Sequence, residues 1–445
     1  MEPNQKRRVV ILGAGGRDFH NFNVAFRGRG EVEVLAFTAT QIPGIENRTY
    51  PAVLAGAGYP QGIPIIPEES LPEFLKTHPA DEAIFAYSDV SHEYDMQKGS
   101  WILSLGLDYR LMGPASTQIP SRKPVVAVLA SRTGSGKSQT TRAVCRRLRE
   151  AGLKVVAVRH PMPYGDLAKQ DVQRFAEVAD LARHQCTVEE MEEYEPHIVS
   201  GTIIYAGVDY EAILRQAEKE ADVVVFDGGN NDMSFYKPDL QIVVLDPLRP
   251  GHELTWHPGH TNLLSADVVV INKIDSASLE QINEVRRNVA QHAPRAQVVE
   301  AASPISVEGW EKIRGKKVLV VEDGPTLTHG GMTIGAGVVA AMKYGAAEII
   351  DPRPWLVGRM AETFRKYPKI GRLLPAMGYG EEQLRDLEAT IRQVPCDLVI
   401  IGTPIDFRRI VKLDKDSVRV SYELEEIGEP TLGTILEGFV QRVRR

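Results

Sequence analysis

The 445-residue sequence predicts an α/β protein built on mostly parallel sheets. Apolar runs rich in valine and isoleucine recur between segments of helical periodicity, as at residues 125–130, 222–227 and 267–272. The runs are continuous rather than alternating, which is typical of strands that are covered on both faces. Two of the apolar runs in the chain lead directly into glycine-rich turns, an arrangement in which βα units bind phosphate groups.

Composition and length narrow the class of protein. The chain is 43% hydrophobic and 25% charged, as in an ordinary globular protein, and it is long enough for two or three domains. Its net charge of −7 argues against a nucleic-acid partner, and no apolar run reaches the roughly 18 residues of a membrane span. The cysteines, Cys145, Cys186 and Cys396, lie far apart, which favours reduced thiols and a cytoplasmic location.

The first predicted strand, at residues 7–13, runs into the glycine-rich turn GAGGRDFHNFN at residues 13–23. Asp18 stands where the third glycine of a dinucleotide fingerprint belongs, and no acidic residue ends the next strand, so a dinucleotide is disfavoured. Arg17, His20 and Asn21 crowd a helix start instead, which suits a charged, oxygen-rich ligand. A capped helix with solvated polar residues is the alternative.

Residues 125–138, VVAVLASRTGSGKS, form the central motif of the chain. A buried strand, a glycine-rich loop and a helix start follow one another, so backbone N–H groups and the helix dipole are expected to hold a polyphosphate. The Walker A pattern is met except at its first glycine, where Ser131 is a small, tolerated variant. Lys137 is expected to reach the β- and γ-phosphates, and the Ser138 hydroxyl to bind Mg²⁺. The predicted nucleotide-binding residues of this motif are Thr133, Gly134, Ser135, Gly136, Lys137, Ser138 and Gln139.

A second buried strand, at residues 221–227, brings Asp227 to its carboxyl end beside the predicted loop. A carboxylate there binds Mg²⁺ directly or through water, so Asp227 is the Walker B candidate and a predicted metal ligand together with Ser138. The GTPase form Asp-x-x-Gly is not met, because Asn230 stands at the glycine position. An aspartate that caps a helix or a turn is the alternative.

A third strand ends in Asn272, Lys273 and Asp275. In guanine-nucleotide proteins such an aspartate accepts two hydrogen bonds from the base edge, and the asparagine and lysine support it. The pattern predicts base binding and favours guanine over adenine only slightly; a strand-end turn is the alternative. Residues 300–303 follow the next strand and are expected to close over the base. The predicted cofactors are therefore ATP or GTP, with Mg²⁺.

Basic and imidazole side chains gather in two further loops, at residues 159–165 and 246–260, and His197 belongs to the same predicted cluster. Their position near strand ends suits recognition of phosphate or carboxylate groups. Plain loop structure is one alternative, and structural metal binding is the other. The histidines have neither helical register nor an evident set of carboxylate ligands, which argues against the metal. A polar strand end at residues 88–89 is expected to line the same crevice. The predicted substrate-binding residues are Gly15, Arg17, Asp18, His20, Asn21, Ser88, Asp89, Arg249 and His252.

Residues 188–195, VEEMEEYE, form a negative run within a segment of helical periodicity. Because charged runs on helices are usually solvated, we predict that this run is an exposed helix face.

Domain organisation follows from these motifs and from a linker at residues 113–124, which has three prolines and no apolar period. We predict a Rossmann-like substrate-binding domain at residues 1–118 and a P-loop NTPase domain at residues 119–315. An α/β C-terminal region at residues 316–445 either extends the NTPase sheet or forms a lobe of its own.

Four stretches are similar to the cyclic 2,3-diphosphoglycerate synthetase family: residues 13–23, 36–45, 159–167 and 328–332. The loop, the Asp-Gly-Gly-Asn sequence that begins at Asp227 and the Asn-Lys-x-Asp sequence also resemble nickel-insertion and molybdenum-cofactor-related P-loop NTPases. The family resemblance implies ATP- and Mg²⁺-dependent closure of an intramolecular phosphoanhydride in 2,3-diphosphoglycerate, with release of ADP and phosphate. It also implies a homodimer and stimulation by K⁺.

The residues fit such a reaction, because substrate phosphates are already nucleophiles and need no general base. We expect Lys137, Mg²⁺ and Asp227 to orient the γ-phosphoryl group while Arg159 and His160 hold the polyanion; these four side chains are the predicted catalytic residues. Two alternatives stay open. One is an ATP- or GTP-dependent kinase or ligase that acts on another small anionic metabolite, and the other is a regulatory or metallochaperone-like GTPase.

Overall fold

The computed structural model describes residues 6–40, 45, 47–159, 165–229, 232–324, 327, 335–376, 381–405 and 407–444. These residues form sheets of six, nine and six strands and one two-stranded ribbon. Most neighbouring strands run parallel, so the predicted α/β class is confirmed. Within the described ranges, none of the helices combines the length and the apolar character needed to cross a membrane.

The first sheet is formed by the N-terminal part of the chain. Its strands, with the ribbon strand β6, are β1 Arg7–Leu12, β2 Val32–Ala39, β3 Thr49–Tyr50, β4 Ile63–Pro67, β5 Glu82–Phe85, β6 Val90–Ser91 and β7 Asp108–Leu111. The helices are α1 Arg17–Ala25, α2 Ala52–Ala55, α3 Leu71–Thr77, α4 His92–Ser104 and α5 Pro114–Thr117. The sheet order is β3-β4-β2-β1-β5-β7. Val9 and Ile11 face one apolar core and Val10 the other, so this Rossmann-like sheet is covered on both faces.

The second part of the chain contains the phosphate loop. Its strands are β8 Val125–Ala130, β9 Val155–Arg159, β10 Gln173–Phe175, β11 Ile203–Ala206, β12 Val223–Asp227, β13 Leu240–Leu245, β14 Trp256–His257, β15 Val268–Ile271 and β16 Gln297–Ala302. The helices are α6 Lys137–Glu150, α7 Ala179–Arg183, α8 Val188–Val199, α9 Tyr210–Ala217, α10 His252–Thr255, α11 Gly259–Leu264 and α12 Leu279–His292.

The remaining strands are β17 Ile305–Val307, β18 Lys317–Asp323, β19 Glu348–Ile349, β20 Leu374–Ala376, β21 Leu398–Gly402, β22 Ser417–Tyr422 and β23 Glu425–Ile427. The remaining helices are α13 Ala336–Lys343, α14 Arg359–Lys366, α15 Glu381–Gln393 and α16 Leu432–Val443. Short 3₁₀ turns occur at Glu68–Ser70, Leu167–Lys169, Trp310–Lys312, Arg353–Trp355 and Phe407–Arg409.

The second sheet has the order β10-β11-β9-β12-β8-β13-β15-β16-β23. Strand β8 lies near its middle and pairs in parallel with both β12 and β13. Because the carboxyl ends of parallel strands meet at one edge, the loop that follows β8 lies beside the residues that follow β12 and β13. This strand order sets the position of the candidate site.

The chain returns to the second sheet after it has formed the third one, whose order is β17-β22-β21-β18-β19 with β20 also paired to β18. Strand β23 pairs antiparallel with β16, and Ala302 lies opposite Glu425. Leu436 and Phe439 of helix α16 belong to the same apolar core as Leu148 of helix α6. The third sheet therefore interrupts the second structural unit. The domain boundaries at residues 118 and 315 stay predictions.

The acidic run at residues 188–195 is not an exposed helix face, so that prediction is wrong. It lies in helix α8, which begins with a capping box between Thr187 and Glu190. Glu190 and Glu192 are buried, and Glu195 pairs with Arg409 of the third unit at 2.7 Å. Arg409, the partner of Glu195, comes from a distant part of the chain, which a local charge pattern does not reveal.

Candidate active site

The phosphate loop has the backbone that its sequence predicts. Gly136 has a left-handed φ of 103° and directly precedes helix α6. A Cβ atom at this position would lie 2.0 Å from the side-chain nitrogen of Asn272, so the site admits only glycine without rearrangement. Lys137 and Ser138 follow in the first turn of the helix, where N–H groups and the helix dipole favour an anion. The strand, loop and helix together form a P-loop nucleotide-binding fold.

Asp227 is the carboxylate on which the phosphate side of the site converges. Its side chain is fully buried, and one of its oxygens accepts hydrogen bonds from Lys137 and, at 3.2 Å, from the Thr141 hydroxyl. Its other oxygen lies 2.8 Å from the Arg159 guanidinium and 3.1 Å from Nε2 of His197. The structure thus brings together Lys137, Asp227 and Arg159, three of the four predicted catalytic residues; His160 lies outside the described residues.

The charges of this cluster stabilise one another. Burial alone would raise the pKa of the Asp227 carboxyl, but Lys137, Arg159 and the hydrogen bond from His197 hold that pKa well below its usual value. Burial, assisted by the charge of Arg159, lowers the pKa of Lys137. Burial also lowers the pKa of His197, which favours its neutral form. Asp227 is therefore an ionised carboxylate, the kind of ligand that Mg²⁺ prefers.

The donor set around Asp227 fits Mg²⁺ of a nucleotide complex. In P-loop sites this ion takes one or two protein oxygens and completes its shell with phosphate and water oxygens. Ser138 is half-buried at the second residue of helix α6 and supplies a hydroxyl, while Asp227 supplies a carboxylate. Among the described residues, no group of three or more His, Cys, Asp or Glu side chains forms a metal cage, so the nucleotide phosphates would have to complete the ligand shell.

The predicted base-binding residues support the loop from its other side. Asn272 donates to the backbone oxygen of Ser135 at 2.9 Å, and Lys273 donates to that of Gly134 at 2.6 Å. The carboxylate of Asp275 accepts a 3.0 Å hydrogen bond from the backbone nitrogen of Ser303. Binding of a base at Asp275 stays a prediction.

Gln139 and Ser303 join the two sides of this predicted base site. The amide nitrogen of Gln139 lies 3.0 Å from the Ser303 hydroxyl oxygen, and the amide oxygen of Gln139 lies 3.1 Å from it. Since Ser303 also donates its backbone N–H to Asp275, helix α6 and the end of β16 are linked through one residue.

A second carboxylate, Asp246 at the end of β13, organises the outer side of the loop. Its oxygen lies 2.9 Å from Arg249 and 3.1 Å from Lys273, and Arg249 also donates to the backbone oxygen of Thr133 at 2.8 Å. Burial would raise the pKa of Asp246, but Lys273 and Arg249 lower it overall. Arg249, predicted to bind substrate, is thus part of the support of the loop.

Arg132 within the loop connects Asp89 and His252, two predicted substrate-binding residues. Its guanidinium lies 2.7 Å from Asp89 and 2.7 Å from Nδ1 of His252, and it stacks 4.1 Å over the ring of Trp256. Burial, with the charge of Arg132, lowers the pKa of His252 to about 4, so this imidazole is neutral. Ser88 is half-buried beside Asp89. Sequence reasoning missed Arg132, although its position within the loop was visible.

The glycine-rich turn after β1 is filled by the carboxylate of Asp18. Asp18 accepts hydrogen bonds from the backbone nitrogens of Gly15 at 2.8 Å, Gly16 at 3.0 Å and Phe19 at 2.7 Å. Burial raises the pKa of Asp18 to about 6 in spite of these hydrogen bonds. Binding of a substrate anion at Gly15 and Asp18 stays a prediction, and it would require the anion to compete with this carboxylate.

The next residues of helix α1 contact the loop that follows Asp227. Arg17 lies 3.2 Å from Asp232, and His20 stacks on Phe235 with ring centroids 4.0 Å apart. Burial lowers the pKa of His20 to about 3, which keeps it neutral. Asn21 is buried, and among the described residues neither its amide nitrogen nor its amide oxygen has a hydrogen-bond partner. The structure therefore brings the turn and the phosphate site into one region.

Two functional contacts escaped the sequence patterns. Glu193 pairs with Arg159 at 2.6 Å, and Thr141 donates to Asp227. Thr141 lies four residues after Lys137 on helix α6, and residues at this spacing share one face of a helix. The sequence could therefore have predicted that Thr141 lies on the same side of the helix as Lys137. Glu193 has no comparable signal, because it and Arg159 meet only through the fold.

Comparison with known proteins adds one full-length relative. No family model matches the chain. Arginine synthetase ArcE of Thermococcus kodakarensis is 60% identical over 445 residues, which cover 100% of this chain and 99% of that protein.

Among solved structures, LpxK from Aquifex aeolicus in complex with ATP is similar over 84% of this chain and 99% of its own, with 12% identity and a TM-score of 0.43. HypB from Helicobacter pylori in complex with nickel is similar over 40% of this chain and 79% of its own, with 15% identity and a TM-score of 0.26. The full-length match is named for arginine synthesis, and none of these proteins is named for cyclic 2,3-diphosphoglycerate. The chain belongs to the family of arginine synthetase ArcE.

Proposed function

We propose that this protein is a nucleotide-dependent synthetase that forms arginine. The observation that carries the proposal is the 60% identity to an arginine synthetase along the whole chain. The phosphate loop, Asp227 and the Asn272–Asp275 segment provide the nucleotide half of such a reaction. A synthetase uses the energy of a nucleoside triphosphate to join two smaller molecules, and Lys137 beside Asp227 is suited to act at the γ-phosphoryl group.

The chemistry of arginine limits the acceptor. Arginine contains no phosphate, so any phosphoryl group that is transferred must later leave. A neutral ureido group, as in citrulline, has the oxygen needed to attack the γ-phosphorus of the nucleotide. Attack breaks the bond between the γ-phosphorus and the bridging oxygen, releases the nucleoside diphosphate and leaves a phosphorylated isourea. Ammonia then attacks the isourea carbon, the C–O bond breaks, inorganic phosphate leaves, and the product is a protonated guanidino group.

The chain's own residues can perform the first step. Ser138 and Asp227 would hold Mg²⁺, which neutralises charge on the nucleotide phosphates. Lys137 now donates to Asp227 and has to turn toward the phosphates when they bind. Arg159 stays anchored by Glu193 at 2.6 Å and presents its guanidinium to the charge that develops on the transferred group.

The distribution of charge also supports an acceptor with little negative charge. Among the described residues, Arg17 pairs with Asp232, Arg249 pairs with Asp246, and Arg159 pairs with both Asp227 and Glu193. These arginines are therefore already neutralised by carboxylates. A substrate with two phosphates and a carboxylate would need cations in excess, whereas a zwitterionic amino acid with a neutral ureido group would not.

A second candidate is the ATP-dependent cyclisation of 2,3-diphosphoglycerate, with release of ADP and phosphate. It is supported by the family resemblance of the motifs and by the position of Arg17 and Asn21 next to the loop that follows Asp227. Here the acceptor of the γ-phosphoryl group would be a substrate phosphate, and His160 would belong to the polyanion site. Stimulation by K⁺ and a homodimeric state accompany this candidate as further predictions.

The deciding experiment supplies the purified protein with MgATP or MgGTP, citrulline labelled with ¹⁸O in its ureido group, and ammonium. We expect arginine and nucleoside diphosphate in equal amounts, and the ¹⁸O label in the inorganic phosphate. Mass spectrometry measures all three. A parallel reaction with 2,3-diphosphoglycerate is followed by ³¹P NMR for the cyclic product.

Arginine formation without label transfer would contradict the ureido-phosphate route. A cyclic product together with no arginine would establish the second candidate instead. Lys137→Ala should reduce turnover by about 100- to 1000-fold, since it removes a cation that acts on the transferred phosphoryl group. Lys154→Ala, an exposed lysine ahead of β9, is the matched control and should retain full activity.

A further inference from the structure

Helix α8 and strand β18 bring two carboxyl groups together between the second and third sheets. Glu192 lies on α8, and its carboxyl group lies beside that of Asp323 at the carboxyl end of β18. Carboxyl ends of parallel strands are the usual position of ligand-binding residues in α/β sheets. Neither the nucleotide contacts nor the N-terminal turn involves this pair.

The Glu192 side chain is buried without compensation. It is 4% exposed, and within the described ranges no hydrogen-bond donor reaches either of its carboxylate oxygens. Glu190 and Glu195 of the same helix differ in this respect: Glu190 accepts from Gln170 at 3.2 Å, and Glu195 pairs with Arg409. An uncompensated buried carboxylate that faces a second carboxyl group is costly unless the two share a proton or enclose a cation.

The pair lies next to the phosphate site. Glu193, the neighbour of Glu192, pairs with Arg159, which in turn contacts Asp227. Burial and the nearby charges of Asp323 and Glu189 raise the pKa of Glu192 well above its usual value. Burial, together with the charges of Asp323 and Glu193, raises the pKa of the Tyr422 hydroxyl at the end of β22. The third sheet therefore contributes to this region.

We propose that Glu192 and Asp323 bind the nitrogen cation of the reaction, through charge-assisted hydrogen bonds from its N–H groups. This inference rests on the proposed function, which supplies two such cations: ammonium as a substrate and the guanidinium of arginine as a product. Both present several N–H donors to two carboxylates, and a planar guanidinium can bridge them.

The position of the pair gives it a role in the second chemical step. Glu193, next to Glu192 in the chain, pairs with Arg159, so a cationic nitrogen held by Glu192 and Asp323 would lie near the part of the site that Arg159 forms. Ammonium bound there can lose a proton to a carboxylate and reach the activated carbon as ammonia. The third sheet would thus complete the acceptor half of the site.

The test compares Glu192→Gln with the wild-type protein. The substitution keeps the size of the side chain and removes its ability to become a negatively charged ligand of a cation. Isothermal titration measures arginine binding to the protein with bound MgADP, and steady-state assays measure KM for ammonium, citrulline and nucleotide. We expect arginine affinity or ammonium KM to worsen by about tenfold to hundredfold, the range for a lost charged hydrogen bond, and nucleotide KM to change less than about twofold.

The two cation sources give different results. If the pair holds the guanidinium, the loss appears in arginine binding; if it holds ammonium, the loss appears in the KM for ammonium. Unchanged arginine binding together with unchanged ammonium KM would show that the pair only shares a proton and would overturn the proposal. Glu195→Gln is the matched control on the same helix and should leave both quantities unchanged.

A structural role alone would be revealed by thermal unfolding. Glu192→Gln relieves repulsion between carboxylates, so the ligand-free variant should melt at the same temperature as the wild type or higher. If it does not fold, Asp323→Asn probes the same pair from the third sheet with the same expected losses. If the wild type makes no arginine but binds arginine or ammonium in a Glu192-dependent way, the proposed function fails and the cation site stands.

Discussion

Asp18 illustrates how a single residue can adopt a role that its motif did not predict. The sequence places it in a glycine-rich turn and suggests contact with a ligand. In the structure its carboxylate accepts the N–H groups of Gly15, Gly16 and Phe19, as a bound anion would. Burial nevertheless raises its pKa to about 6, so folding carries a cost for its ionised form.

A pH-dependent effect follows from this shift. The folded protein binds a proton at Asp18 more tightly than the unfolded chain does, because the pKa rises from 3.8 to about 6 on folding. The contribution of Asp18 to stability is therefore complete below about pH 4 and is lost as the pH rises to about 6. We expect Asp18→Asn to remove this pH dependence. Between pH 4 and about 6, the wild-type protein should therefore lose at most roughly 3 kcal/mol of unfolding free energy relative to the variant.

Urea denaturation at several pH values between 4 and 7 measures the effect. The exposed Glu31→Gln serves as the control and should follow the wild-type curve. Parallel curves for wild type and Asp18→Asn would show that the hydrogen bonds of the turn fully compensate for burial.

At the scale of elements, helix α16 packs against the core of the second sheet although the third sheet precedes it in the sequence. Leu432, Ile435, Leu436, Phe439 and Val440 form its buried stripe and join the core around α6. The spacing of these residues is that of one helical face. Because α6 begins with Lys137, the last helix supports the element that presents the phosphate-binding lysine.

Phe439→Ala should therefore destabilise the protein by about 3–5 kcal/mol, since it removes a fully buried aromatic ring and leaves a cavity. The melting temperature measured by calorimetry, with and without MgADP, reports both stability and nucleotide binding. Glu437→Ala lies on the exposed face of the same helix and should have little effect. Equal melting temperatures for Phe439→Ala and wild type would show that α16 contributes nothing to the core.

Local patterns account for the elements that sequence predicted well. The strand and loop before Lys137, the strand that ends at Asp227 and the segment Asn272–Asp275 each carry their signal within a few adjacent residues. The structure shows that they meet. Contacts that depend on chain segments far apart could not be predicted in the same way: the pairing of Glu193 with Arg159, the burial of the acidic helix α8, and the return of β23 to the second sheet.

At the scale of the whole molecule, the first and second units are joined by a buried ion pair and a short ribbon. Arg17 and Asp232 lie 3.2 Å apart with side chains 3% and 2% exposed, and β6 pairs with β14 through Ser91 and Trp256. A buried pair of this kind fixes orientation more than it adds stability, because each ion loses its hydration.

Arg17→Met should cost about 3–5 kcal/mol of unfolding free energy, because it removes one member of a buried ion pair and leaves the Asp232 charge buried without that partner. Arg17→Met combined with Asp232→Asn should recover part of that loss. A double-mutant cycle measured by chemical denaturation gives the coupling between the two residues. Additive effects would show that the pair does not hold the units together. Turnover of the same variants tests whether the orientation of the first unit matters for catalysis.

The path of the chain between the second and third sheets has a mechanical consequence. Strand β16 continues into β17, and β22 continues into β23, so the two connections run side by side: Ala302 faces Glu425 and Ile305 faces Tyr422. Together they form one double-stranded connection between the second and third sheets. Ser303, which contacts Gln139 and Asp275, lies in this connection. A displacement of the third sheet about these connections would therefore be transmitted through Ser303 to Gln139 and Asp275, the residues predicted to bind the nucleotide.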